Sequence, residues 1–161
     1  MPLLEAGHIV PDAWVRVEDD AVLPDGPAIL SLARLQREAG RNAPLGVALP
    51  PDAAPEDLAP FLDRLALVVL TLPKFRDGRA FTQARALREH HGFTGEIRAT
   101  GHVIPDQYQA LLRCGVTTVE IPARADPAMW NAARRVVGIA YQASVTPDTP
   151  LSLLRRKLEA A

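Results

Sequence analysis

The side chains best suited to chemistry crowd into one short segment, which holds Lys74, Asp77, Gly78 and Arg79 directly before a predicted helix. Two cations at a helix start could hold an anion, because the first turn of a helix offers backbone N–H groups without partners inside the helix. Asp-Gly is also a common turn pair, and Asp77 could simply orient Arg79. The residue types therefore leave ligand binding and a structural role equally open.

Arg98 is a further candidate for ligand binding, and it lies inside a predicted strand. A charge in a buried strand is costly unless it is paired. Arg98 therefore either binds an anion at the same site or pairs with Glu96 or Glu120. Of these two, we favour the pairing with a neighbouring carboxylate.

Three other polar residues follow that strand. Gln107 is a candidate for ligand binding, although first-turn residues such as Asp106 and Gln107 also suit the start of a helix. His102 and Asp106 are the candidates for a catalytic acid or base. No two histidines have the spacing of a metal site, so no metal is expected.

Several common enzyme motifs are absent. The chain has no G-x-G-x-x-G after a strand, no phosphate-binding P-loop and no G-x-S-x-G. Cys114 is the single cysteine, which excludes a two-thiol redox cycle within one chain. No cofactor is therefore evident from the residues themselves.

Composition indicates an ordinary globular domain. The chain has 161 residues, 23% of them charged, and a net charge of −1, so no basic face indicates nucleic-acid binding. The N-terminus lacks the pattern of a signal peptide, and no apolar run is long enough to cross a bilayer. We expect a cytoplasmic protein without membrane contact.

Short apolar runs alternate with amphipathic stretches along the chain. The clearest strand is the apolar run 67–72, and others are predicted at 14–17, 28–30, 45–49, 96–100 and 117–121. Such alternation predicts an α/β fold with a mostly parallel sheet of about five strands and crossover helices. Either an open doubly wound sheet or a truncated barrel-like sheet fits, because a complete eightfold barrel needs about 250 residues.

Parallel strands place their carboxyl ends along one edge, where α/β proteins usually bind ligands. The segments 74–79, 98–102 and 120–124 should converge there. We expect one α/β domain over residues 1–145, followed by a proline-containing tail or short helix over residues 146–161.

The segment LTLPKFRDGRAFTQARALREHHGFTGEIRATGHVIPDQYQALLRCGVTTVEI resembles the bacterial family called domain of unknown function 934. Members read close to FPKF-x-DGR-x-(Y/F)-(S/T)-QAR-x-LR, then G-(Y/F)-x-GE-(L/I)-RA-x-G, then DQ and RCG, and the likeness covers most of residues 45–122. The matching residues are Pro73, Lys74, Phe75, Asp77, Gly78, Arg79, Gln83, Arg85, Arg88, Glu96, Arg98, Gly101, Asp106 and Gln107. The chain departs from the pattern at Leu72, Thr100 and His102, and the change at His102 argues against a fixed catalytic group there.

Members of this family are described as oxidoreductases associated with sulfite reduction. The resemblance thus implies an accessory protein that supports assimilatory sulfite reductase, by docking on the enzyme or its electron donor or by binding an anionic ligand. A flavin- or nicotinamide-dependent oxidoreductase of the same pathway is one alternative. A homodimeric scaffold without a small ligand is the other.

Overall fold

A computed structural model gives the fold, and it describes residues 1–38, 43–136 and 144–145. Within these residues the chain forms eight strands: β1 Leu3–Glu5, β2 His8–Val10, β3 Val15–Arg16, β4 Ala28–Ser31, β5 Leu45–Leu49, β6 Leu65–Leu72, β7 Glu96–Gly101 and β8 Thr118–Glu120. It also forms the helices α1 Leu32–Leu35, α2 Arg79–Glu89, α3 Pro105–Arg113 and α4 Pro127–Ala133, and a 3₁₀ helix, Pro55–Arg64. The tail or helix predicted over 146–161 lies outside the described residues.

The eight strands form one sheet in the order β2-β1-β8-β7-β6-β5-β4-β3. Strands β3 to β8 are parallel to one another, whereas β1 is antiparallel to both β2 and β8. The α/β class and the parallel sheet are confirmed. The expected count of about five strands is too low, chiefly because an N-terminal hairpin adds β1 and β2 to one edge.

The hairpin turns at Ala6 and Gly7, whose φ angles are 47° and 89°. Two successive positive φ angles are typical of the type I′ turn that joins twisted strands. The backbone N–H of Gly7 donates to the hydroxyl of Tyr108 at 3.1 Å, which ties the turn to α3. Sequence reasoning missed this hairpin because Ala at the first turn position is a weaker signal than Asn or Asp.

The sheet is curled into a half-barrel, and an ion pair across it shows the curvature. Nη2 of Arg16 in β3 lies 2.6 Å from Oε1 of Glu120 in β8, although four strands lie between them. In a flat sheet, inter-strand spacings of about 4.8 Å would separate these strands by about 24 Å, which the two side chains could not span. The truncated barrel-like alternative is therefore the correct one.

The two faces of the half-barrel are covered differently. The helices pack on the convex face, in a core that includes Leu70, Leu87, Ile97, Leu111 and Val119. On the concave face a separate, smaller cluster contains Ile29, Leu67, Val69 and the partly buried Trp14 and Ala48. A doubly wound sheet needs helices on both faces, so that alternative is wrong for the described residues.

Most predicted elements match, with one change of helix type. The spacing of apolar residues predicts an α-helix from Glu56 to Leu65, whereas the structure has a 3₁₀ helix, Pro55–Arg64. Pro60 lies inside it, and an internal proline both lacks an N–H donor and clashes with the preceding turn of an α-helix.

Candidate functional site

The loop of residues 73–78, which we call the β6–α2 loop, lies at the carboxyl ends of the parallel strands. Lys74 and Arg76 are exposed, and neither forms an ion pair within the described part of the chain. Phe75 between them is 52% exposed, and the Arg76 guanidinium lies 5.3 Å from the centre of its ring. A cation over an aromatic face is a favourable contact. The loop tip therefore presents a supported aromatic ring and two positive charges to solvent.

Hydrogen bonds to the backbone hold this loop in place. Nε2 of Gln107 donates to the carbonyl of Phe75 at 2.6 Å, and the N–H of Ile104 donates to Oε1 of Gln107 at 3.2 Å. Asp77 closes a turn by donating its N–H to the carbonyl of Lys74 at 2.9 Å. Gln107, a predicted ligand-binding residue, thus lies at the expected edge, where its amide positions the loop.

Asp77 and Arg79 form an exposed ion pair around Gly78, the residue that precedes α2. The Asp77 carboxylate accepts from Nη2 of Arg79 at 2.6 Å and from the backbone N–H of Arg79 at 3.2 Å. The side-chain and backbone hydrogen bonds from Arg79 lower the pKa of Asp77 to about 2. Arg79 and the first free amide of the helix are therefore already occupied by a carboxylate of the chain itself.

We expect Asp77 to stay largely ionised at pH 3, because its pKa of about 2 lies below the ordinary 3.8. In Arg79→Ala the pKa should rise toward 3.8, so Asp77 becomes largely protonated at that pH. The ion pair stabilises the fold above a pH near 3.8, and this contribution is lost as the pH falls through about 2. The carboxyl-carbon NMR shift of Asp77 in a pH titration measures both values.

Arg76→Ala is the matched control for this titration, since Arg76 carries the same charge in the adjoining β6–α2 loop and forms no ion pair with Asp77. It should leave the midpoint nearly unchanged. A midpoint near 3.8 in the unmodified protein would contradict the ion pair.

Arg98 does not join the β6–α2 loop. It lies in β7 on the concave face with its side chain 1% exposed, and it donates to both oxygens of Asp12 at 2.8 and 3.1 Å. It also donates to Oε1 of Glu96 at 3.0 Å, and Oε1 of Glu120 lies 3.6 Å away. The predicted pairing with Glu96 or Glu120 is confirmed. Its cost of burial is offset by carboxylates, so Arg98 is not available to an anion bound at the loop.

Polar side chains extend this network across the concave face. Glu120 accepts from Nη2 of Arg16 at 2.6 Å and from Oγ1 of Thr100 at 2.7 Å. Burial acts to raise the pKa of Asp12, but hydrogen bonds from Arg98 and from the N–H of Trp14 outweigh it, so the pKa lies below its ordinary value. The buried charges of this face are therefore compensated by one another.

Sequence reasoning missed Asp12 and Arg16 as partners in this network. Asp12 lies 86 residues from Arg98 along the chain, and Arg16 lies 104 residues from Glu120. No local pattern connects residues so far apart. The segment 11–17, which we call the strap, crosses the concave face and delivers both side chains.

His102 and Asp106 are both exposed near the β6–α2 loop. The backbone N–H of His102 donates to the carbonyl of Leu72 at 2.8 Å, which joins the ends of β6 and β7. Neither side chain forms a hydrogen bond or an ion pair with a described residue. Their predicted catalytic role stays a prediction.

Two residues of the segment 70–121, which resembles the family pattern and which we call the motif segment, hold neighbouring loops. Nε2 of Gln83 donates to the carbonyls of Pro50 and Ala53 at 2.8 and 2.9 Å, which ties α2 to the loop after β5. Arg88 donates to carbonyls before β7 and β8, among them those of Gly95 and Gly115. Their spacing in the motif thus reflects how α2 is fastened to the sheet.

The described residues contain no cluster of three or more His, Cys, Asp and Glu side chains that could hold a metal ion. Burial raises the pKa of the Cys114 thiol, which keeps it protonated at neutral pH and poorly nucleophilic. Over the same part of the chain, none of the helices combines the length and apolar character that a bilayer span requires.

Comparison with known families matches residues 46–152, about two thirds of the chain, to the family described as bacterial protein of unknown function, DUF934. None of the curated proteins matches the chain. The β6–α2 loop lies inside the matched region, whereas the hairpin and the strap precede it.

Proposed function

Because the chain belongs to the DUF934 family of bacterial proteins of unknown function, we propose that it is an accessory protein of assimilatory sulfite reduction. It acts by docking on sulfite reductase or on the electron donor of that enzyme. The pathway rests on the resemblance of the motif segment, and the mode of action rests on the geometry of the β6–α2 loop.

The observation that supports docking most directly is the exposure of Phe75. This ring is 52% exposed between Lys74 and Arg76, on a loop that Gln107 holds in place. Ile104, whose N–H donates to the same Gln107 side chain, is 38% exposed. Aromatic residues and arginine are enriched at the centres of protein interfaces, and a fixed loop loses little entropy on binding.

The charges of the loop favour an acidic protein surface over a small anion. Arg79 is neutralised by Asp77, so a small anion would depend on Lys74 and Arg76 alone. An acidic surface could pair with both cations while an apolar group covers Phe75. Binding of an anionic ligand therefore ranks second, and titration with sulfite tests it directly.

Phe75→Ala should weaken binding to purified sulfite reductase about tenfold or more, because truncating a central aromatic anchor costs roughly 1–2 kcal/mol or more. Biolayer interferometry with the immobilised enzyme, and then with its electron donor, measures the affinity. Val22→Ala is the matched control, since Val22 is 94% exposed in another loop and should not alter binding.

Two results would contradict the proposal. The first is a pull-down from cells growing on sulfate, with a working control, that recovers neither sulfite reductase nor its electron donor. This result would contradict the assignment to sulfite reduction. Unchanged affinity of Phe75→Ala would remove the docking surface.

The alternatives have their own measurements. A flavin- or nicotinamide-dependent oxidoreductase would bind one of these cofactors in titration of the purified protein. A homodimeric scaffold would sediment as a dimer in analytical ultracentrifugation. Both stay predictions.

A further inference from the structure

A cavity of about 440 Å³ opens at the opposite end of the sheet from the β6–α2 loop. It lies at the amino ends of β7 and β8, beside Gly95 and Thr117, and residues 10–14 also line it. Its volume is that of a small-molecule site. The docking proposed above does not involve this cavity.

The charged lining of the cavity consists of Glu5, Asp12, Glu96 and Arg98. Arg98 is 1% exposed and is engaged by Asp12 and Glu96 at distances of 2.8 to 3.1 Å. Three carboxylates against one guanidinium leave the lining with net negative charge. An anion would therefore be repelled, and Arg98, the single cation of the lining, is already paired with carboxylates.

Two acceptor groups remain for a ligand. The side chain of Glu5 forms no hydrogen bond or ion pair with any described residue. Oε1 of Glu96 accepts from Arg98 and from the hydroxyl of Thr118, whereas no described residue donates to Oε2. The side chain of Glu96 is 24% exposed, so a ligand can reach that oxygen.

The remaining wall is apolar and includes an aromatic ring. Leu3, Val10, Pro11 and Trp14 form it. The Trp14 ring packs against the sheet so closely that a Cβ atom on Gly46 would lie 3.2 Å from Cζ3 of Trp14. An apolar wall with a fixed indole beside carboxylates suits an organic cation, whose apolar part can pack against the ring.

We propose that this cavity binds a small organic cation, with an ammonium or guanidinium group on an apolar chain or ring. The cationic head pairs with Glu5 and with Oε2 of Glu96, and the apolar part packs against Trp14 and its neighbours. Charge, free acceptors and the apolar wall all select this ligand class over a carboxylate or a phosphate.

Phenethylammonium is a suitable probe, and 3-phenylpropionate is the matched anion of similar shape. In backbone-amide NMR titrations of the full chain, phenethylammonium should shift the signals of Gly95 and Thr117 saturably, whereas 3-phenylpropionate should not. Glu5→Gln removes one charge from an exposed side chain and should weaken the binding of phenethylammonium three- to fivefold, as expected for an exposed charge pair. Asp63→Asn, an exposed charge change outside the cavity, should leave the affinity unchanged.

Equal or tighter binding of 3-phenylpropionate would overturn the proposal, and so would the absence of saturable shifts at Gly95 and Thr117. Unchanged affinity in Glu5→Gln would also overturn it. The comparison of the two probes uses the unmodified protein, so it does not depend on the folding of a variant. Binding to sulfite reductase is a separate measurement on another surface, so either proposal can fail alone.

Discussion

Replacing Arg98 with methionine should lower the free energy of unfolding by about 3 kcal/mol. The guanidinium is buried and paired with Asp12 and Glu96, with Glu120 close by. Methionine fills similar space but leaves these carboxylates without their cation, and an uncompensated charge at a buried site is strongly destabilising. The effect should fall at the low end of the usual range, because Asp12 and Glu96 are 30% and 24% exposed and can recover some hydration.

Urea denaturation followed by circular dichroism measures this loss. Arg85→Met is the matched control, because Arg85 pairs with Glu89 one helical turn away at an exposed site. It should cost less than about 0.5 kcal/mol. Equal effects of the two substitutions would show that the buried network provides no more stability than a surface ion pair.

Gly101→Ala should lower the free energy of unfolding by about 2–5 kcal/mol. Gly101 has a φ angle of 93°, which strains any residue with a side chain, and its Cβ would collide with the carbonyl oxygen of Leu72. That carbonyl accepts the N–H of His102 at 2.8 Å, so moving it would disturb the junction of β6 and β7. A fall in both the melting temperature and the urea midpoint is the expected result.

Gly26→Ala provides the comparison for this substitution. Nothing lies within 4 Å of a Cβ at Gly26, so the same chemical change should alter stability by less than about 0.5 kcal/mol. If Gly101→Ala were equally mild, the close approach of β7 to the end of β6 would not be rigid.

Local patterns predicted the part of the candidate site that one segment builds. The apolar run before Lys74 identified β6, and the polar residues after it identified the loop at its carboxyl end. The bounds predicted for β5, residues 45–49, agree with the structure. These predictions succeeded because the spacing of apolar residues, turn residues and helix starts are all properties of residues that are close together in the sequence.

The same patterns could not place Arg98. A charged residue in a buried strand requires a partner, and the sequence offered Glu96 and Glu120. That reasoning could not identify Asp12 as a partner, because the strap lies on the concave face only as a result of the curling of the sheet. Arg98 was expected beside Lys74 and Arg79 because its strand ends at the same edge of the sheet. The position of a strand in the sheet does not determine the direction in which its side chains point.

Short-range chemistry, which residue order records directly, determines three features of this protein. These are the order of strands and helices, the parallel direction of the main strands and the position of the β6–α2 loop. The curvature of the sheet, the one-sided helix layer and the ion pairs Arg16–Glu120 and Arg98–Asp12 arise only when distant segments meet. Twist accumulates over many strands, and a charge pair forms between whichever side chains that accumulated geometry brings within hydrogen-bonding distance.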